Sequence, residues 1–249
     1  MSPEEDPPRA VCCVNGTAVP DPHPIQAGRR SSTRERTRYA LPVDGTGANA
    51  TRAAPSPAPV AGLLLAAGGG RRLGGRPKAL LEYGGRPLVE HAVTALRAAG
   101  CGTVHVVLGA AARAVREGAD LAGCVPVENP EWERGLASSL RAGLASLSSA
   151  AAPGGGAGAA LVVLVDQPGI GAEAMARVAG AYRGRGSLAS ASYGGRRGHP
   201  VLLGADRWAE VAAGAGGDRG ARAYLRAHEA EIVLVPCGDV ADPYDVDTA

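Results

Sequence analysis

The sequence predicts an α/β domain built on one doubly wound, mostly parallel sheet over residues 60–249, preceded by a disordered tail over residues 1–59. Three observations carry this expectation. From Val60 onward, short apolar runs alternate with amphipathic stretches, the order of strand and helix that builds parallel sheets. Apolar residues make up 45% of the chain, with no Phe, two Trp and six Tyr. The core must therefore be filled by Ala, Val and Leu, which suits strands buried on both faces beneath Ala-rich helices. Residues 1–59 hold ten of the nineteen prolines and seven arginines, without apolar periodicity. Such a segment cannot bury enough surface to offset its ordering entropy, and an unstructured extension is favoured over a regulatory arm.

The elements follow in order. Val60–Ala66 is a strand that runs into a Gly-rich loop, and a helix follows near Leu88–Ala99. Thr103–Leu108 is a second strand with a short helix after it. Cys124–Val127 is a third strand, and Leu136–Leu147 a helix. The Ala/Gly/Pro stretch over 149–158 is a surface loop. Leu161–Val165 is the most apolar strand and is placed centrally. Helix Ala172–Arg183, strand Ser187–Ser192, helices near Ala205–Ala213 and Gly220–His228, and strand Ile232–Val235 complete the domain. In such sheets the ligand sits beyond the carboxyl ends of the strands.

Composition excludes several classes. A net charge of +2 is too balanced for a nucleic-acid footprint. Cys12, Cys13, Cys101, Cys124 and Cys237 lack metal-type spacing, and their odd number argues against a disulfide framework. They read as buried reduced thiols. No apolar run reaches transmembrane length. The acidic, Pro-rich start lacks the apolar segment of a signal peptide, and Arg29-Arg30 is followed by polar residues, so a cytoplasmic location without a membrane partner is expected.

The loop Ala66-Ala67-Gly68-Gly69-Gly70-Arg71-Arg72-Leu73-Gly74-Gly75-Arg76-Pro77-Lys78 carries the chemistry. Glycines let consecutive main-chain N–H groups approach phosphate oxygens. The dinucleotide fingerprint fails here, because the sixth position from Gly68 is Leu73 and the second strand ends in Gly109 rather than an acid. The phosphate loop with Gly-Lys-Ser/Thr fails too, since Gly75 precedes Arg76-Pro77. Lys78 is the only lysine beside twenty-five arginines. A compact, rotatable ammonium differs from a planar guanidinium, and a site crowded with phosphate oxygens can require the former.

Leu65-Ala-Ala-Gly68-x-Gly70-x-Arg72-Leu73-Gly74-x-x-x-Lys78 resembles the signature of the MobA-like nucleotidyltransferases, including the molybdenum cofactor cytidylyltransferases. The segment Asn129 to Arg141 resembles that family's substrate-side segment, and Val165-Asp166-Gln167-Pro168 its metal-binding strand end. Gly198-His199-Pro200, Gly217 to Arg222, and Asp245-Val246-Asp247-Thr248 match in the same order. Each motif is weak alone; six in register over about three-quarters of the chain are specific.

The resemblance implies a Rossmann-like nucleotidyltransferase fold and a set of roles. Leu65, Ala66, Ala67, Gly68, Gly70, Arg72, Gly74 and Lys78 would hold the nucleotide, with Arg72 and Lys78 on the triphosphate. Asp166 would act with them in catalysis and bind Mg2+, partnered by Asp245, while Ser138, Ser139 and His199 would line the acceptor side. Ala66-Ala67-Gly68 resembles the cytidylyl-using members, whereas Ala-Gly-Gly accompanies guanylyl use. The family's last motif continues into a Pro-Glu-Asp helix, and here Ala249 follows Thr248 instead.

The expected reaction moves a cytidylyl group from CTP to a phosphate of molybdopterin, releasing pyrophosphate, with a molybdoenzyme as a possible recipient of the product. A phosphate monoester has its second pKa at about 6 and needs no strong base, so positioning and charge stabilisation carry the catalysis. Two alternatives stay open: transfer to a sugar phosphate or other small phosphate, and a non-catalytic nucleotide-binding factor for cofactor maturation. His199, between Gly198 and Pro200, is equally well a turn residue. Asp218 and Arg222 could form a plain i,i+4 ion pair. Asp242 reads as a turn residue and Asp247 as a helix cap.

Overall fold

The computed structural model describes residues 60–70, 76–150 and 156–246. The expected tail, Arg72, Gly74 and Asp247 lie outside these residues. Nine strands and six α-helices are found among them. The strands are β1 Val60–Leu65, β2 Glu82–Tyr83, β3 Arg86–Pro87, β4 Val104–Leu108, β5 Val125–Glu128, β6 Ala159–Leu164, β7 Leu188–Tyr193, β8 Arg196–Gly204 and β9 Val233–Pro236. The helices are α1 Leu88–Ala98, α2 Ala112–Gly118, α3 Leu136–Ser149, α4 Ala172–Ala179, α5 Trp208–Gly214 and α6 Arg222–Ala227.

Seven strands form one sheet in the order β5-β4-β1-β6-β8-β7-β9, and β2 pairs with β3 in a separate hairpin. β1 runs parallel to both β4 and β6, and β4 parallel to β5. β6, expected to be central from its apolar content, is the fourth of the seven. β8 alone is reversed: it is antiparallel to β6 and to β7, while β9 returns parallel to β7.

Alternation along each strand divides the core into two layers, because successive side chains face opposite sides of a sheet. Leu64 and Ala66 of the first strand and its exit pack with Leu88, Leu96, Met175 and Val178 from α1 and α4. Ala61, Leu63 and Leu65 pack on the other face with Leu140, Leu144 and Leu147 of α3 and Trp208 and Val211 of α5. With no Phe available, close approach replaces bulk. A Cβ on Gly143 of α3 would collide with the Leu63 side chain, so this glycine lets the helix lie directly on β1. His105 of β4 is 1% exposed, and its Nδ1 lies 2.9 Å from the Ser146 hydroxyl of α3. Burial lowers its pKa, so it serves as a neutral core residue.

Three elements differ from expectation. β8, the longest strand at nine residues, replaces the turn expected around Gly198-His199-Pro200. Its first half is polar and holds glycine and proline, the usual signs against a strand, yet a register shift at Ser190/Ala191 of β7 accommodates it. α4 ends at Ala179 and not at Arg183, with Gly180 as its last capping residue. The 82–87 hairpin was not anticipated, since two-residue strands carry no readable period; Gly84 and Gly85 take φ of 57° and 78° in its turn. No helix among the described residues is long and apolar enough to cross a membrane.

Candidate active site

The carboxyl ends of β1, β4 and β6 open onto one cleft. Beyond β1, the amide of Ala66 donates to the carbonyl of Val107 at 2.9 Å, and the amide of Ala110 donates to the carbonyl of Ala67 at 3.1 Å. These bonds tie the loop to the end of β4 and leave Gly68–Gly70 to line a cavity of about 410 Å³. Its other walls include Lys78, Trp132, Ser139, Asp166 and Asp218. Gly70 takes φ of 56°, a left-handed conformation that glycine adopts without strain.

Lys78 enters from a short 3₁₀ turn, Lys78–Leu80, whose Ala79 is fully buried. Its ammonium donates to Asp166 Oδ2 at 2.7 Å. The two side chains retain only 17% and 23% of their exposure, so water screens this pair less than a surface ion pair. Asp166 follows β6 by two residues, and its carbonyl accepts from the amide of Val246 at 2.8 Å. That bond brings the C-terminal segment to the cleft. Asp245 itself is exposed, and one of its carboxylate oxygens accepts from Gln167 Nε2 at 2.8 Å.

A second cavity of about 550 Å³ adjoins the first and shares Leu65, Leu136 and Leu164 with it. His199 lines it, together with Gln167, Tyr193 and the arginines 196, 197, 219, 222 and 226. No Asp or Glu among the described residues lines it. Its inner wall is apolar, formed by residues such as Val162, Val201 and Leu203. The Tyr193 hydroxyl donates to the His199 carbonyl at 2.8 Å, and the Ser190 hydroxyl donates to the Gly198 carbonyl at 2.8 Å, so both fix this part of β8. His199 keeps part of its surface toward the cavity, but its ring is crowded by protein. Burial pushes its pKa down to about 4, with the charge of Arg222 lowering it further and that of Asp166 opposing the shift.

The serines behave differently from expectation. Ser138 is 4% exposed and lines neither cavity. Its hydroxyl lies 2.9 Å from the Glu131 carbonyl and 2.8 Å from the Gly135 carbonyl and accepts from Asn129 Nδ2. Its place is within the 129–135 turn, where two carbonyls share its single proton and Asn129 donates to one of its lone pairs. Ser139 accepts from the same Asn129 amide at 3.1 Å and lines the loop-side cavity, not the arginine-rich one. Leu65, Ala67, Gly68, Gly70, Lys78 and Asp166 are brought together, whereas Ala66 is buried in the core beneath them.

Sequence reasoning placed Trp132 only within the substrate-side segment and gave Gly109 no role, yet the two form one device. A Cβ on Gly109 would lie 2.7 Å from Trp132 Cγ and 2.8 Å from the Ala67 carbonyl, and one on Gly69 would lie 2.9 Å from the same indole. Both glycines give way to the tryptophan, which thereby stands as a wall of the loop-side cavity. The signal in the sequence was a glycine ending β4 where other nucleotide folds place an acid.

These features describe an α/β protein in which β1 leads into a glycine loop and a lysine, and β6 brings a carboxylate to the same cleft. The model of the MobA-like NTP transferase domain matches residues 62–232. The chain belongs to that family of nucleotidyltransferases. It is 41% identical to the nicotine blue oxidoreductase of Paenarthrobacter nicotinovorans, over 76% of this chain and 92% of that protein. Among solved structures, a homologue of Mycobacterium tuberculosis Rv0371c from Mycobacterium sp. strain JC1 superposes with a TM-score of 0.63 at 32% identity, covering 76% of this chain and 90% of that one. The manganese complex of Rv0371c from M. tuberculosis H37Rv gives 0.58 at 25% identity, covering 78% and 95%.

Proposed function

We propose that this chain transfers a cytidylyl group from CTP to a phosphate of molybdopterin and releases pyrophosphate. The observation that carries the proposal is the Lys78–Asp166 pair, 2.7 Å apart at the mouth of the glycine loop, where two cavities of different character meet. The loop-side cavity suits a nucleotide, since Gly68–Gly70 offer main-chain surface and Lys78 a point charge for phosphate oxygens. The second cavity suits the acceptor: arginines gather at an opening without carboxylates among the described residues, over an apolar inner wall. An anionic group enters such a cavity favourably, and an apolar ring system can bury against Val162 and Val201.

The donor set fits a divalent cation. Asp166 and Asp245 are hard oxygen ligands on neighbouring segments, and Mg2+ favours one or two carboxylates completed by water and substrate phosphates. When bound, the ion would neutralise charge on the phosphates. Lys78 would bind phosphate oxygens and Trp132 would limit the loop-side cavity. His199, neutral near pH 7 by virtue of burial, would meet the acceptor as a hydrogen-bonding group and not as a cation.

A second reading rests on the 41% identical relative, whose name is that of an oxidoreductase acting on nicotine blue. On that reading the apolar, arginine-rimmed cavity would hold nicotine blue, and a soluble two-electron carrier of the nicotinamide class would exchange electrons with it. The test is an assay of CTP, GTP and ATP against molybdopterin with and without bound metal, following pyrophosphate. Release that requires both CTP and molybdopterin supports the transferase. Release with a sugar phosphate instead would change the acceptor. A colour change of nicotine blue that requires the protein and an added reduced nicotinamide, with no pyrophosphate from any pair, would replace the proposal by the second reading.

A further inference from the structure

The ammonium of Lys78 rests on Asp166 Oδ2 in this structure. We infer that it is a latch on Asp166: the ammonium fills the carboxylate's cation position until a metal-bearing nucleotide replaces it, so that metal-free nucleotide is discriminated against. The inference rests on the assignment of Lys78 to phosphates and Asp166 to a cation made above.

The geometry supports mutual exclusion. At 2.7 Å the ammonium is in direct contact with Asp166 Oδ2, and the pair is mostly withdrawn from solvent at 17% and 23% exposure. A lysine ammonium is a point charge on a four-carbon stem, and while Asp166 neutralises that charge it attracts a phosphate chain less than a released ammonium would. Glu133 and Asp218 line the same cavity, so a phosphate chain arriving alone meets carboxylates there and a lysine already committed to Asp166. Detaching Lys78 without a replacement would leave Asp166 as a partly buried carboxylate that has lost its partner, which is costly. A cation that arrives with the nucleotide takes over Asp166 and frees the ammonium for the phosphates. No covalent step is involved.

The test is a double-mutant cycle on nucleotide binding without metal. Calorimetric affinities for CTP, and for tripolyphosphate as a base-free phosphate chain, are measured in excess chelator for wild type, Asp166→Asn, Lys78→Met and the double variant, after thermal melts confirm that each folds. Releasing Lys78 by Asp166→Asn should tighten both ligands about fivefold, an ion pair's worth. The same change in the Lys78→Met background should tighten them less than about twofold. Equal tightening in both backgrounds would mean simple charge repulsion by Asp166 and would overturn the latch, while leaving the phosphate assignment intact. If Lys78→Met leaves affinity unchanged in the Asp166→Asn background, Lys78 does not meet phosphates and the underlying assignment falls. Absence of binding in all four proteins would overturn both.

Discussion

Lowering the pH from about 7 to about 5 should weaken this fold through His199, and the size of the effect follows from its surroundings. The ring's pKa is pushed down to about 4 by burial, with Arg222 adding to the shift and Asp166 opposing it. In the unfolded chain the ring titrates near an ordinary value of about 6.5. Between those values the unfolded chain binds a proton that the folded chain refuses, so stability rises with pH across this window and falls as pH drops through it. The full difference gives about 2 kcal/mol between pH 7 and 5, and some solvation from the cavity side reduces it to about 1–2 kcal/mol. For a domain of this size that corresponds to roughly 2–8 °C in Tm. Thermal melts of wild type and His199→Asn at both pH values measure it, and the difference in pH dependence isolates His199 from His105 and the carboxylates. Equal pH dependence in the two proteins would refute a buried, neutral His199.

Three further outcomes are expected. Lys78→Arg should lower kcat nearly as much as Lys78→Ala, on the order of 100-fold, because a planar guanidinium cannot occupy the point that a compact, rotatable ammonium takes among phosphate oxygens; near-normal turnover in steady-state kinetics would contradict this. Gly109→Ala should cost about 1–3 kcal/mol in urea unfolding and raise the KM for nucleotide, since the new methyl displaces Trp132 or the Ala67 carbonyl. Deleting residues 1–58, whose composition cannot support a core, should leave Tm and turnover nearly unchanged.

The parallel half of the sheet was legible because β1, β4 and β6 are apolar runs interrupted only by His105 and are each followed by a helix, and their burial on both faces follows from that pattern. The reversed strand was not legible. Arg196 to His199 are polar, and what makes them a strand is long-range pairing with Tyr193 to Ala191, together with the hydroxyls of Ser190 and Tyr193. No local signal reports such pairing. In the site, the glycine loop, Lys78 and Asp166 could be read from residue type and order, and they meet in one cleft. Ser138 could not be placed, because a buried serine looks the same in sequence whether its hydroxyl serves a ligand or, as here, its own turn. The arginines of the second cavity were invisible as a group because three segments supply them, the start of β8, the stretch before α6 and α6 itself.

The most direct measurement follows the α-phosphate. CTP labelled at the α-position is incubated with molybdopterin, Mg2+ and enzyme, alongside CTP labelled at the γ-position, and with Asp166→Asn as the control. The account predicts α-label in the molybdopterin product, γ-label in pyrophosphate in equal amount, and neither with the Asp166→Asn variant. Retention of both labels in CTP would contradict it.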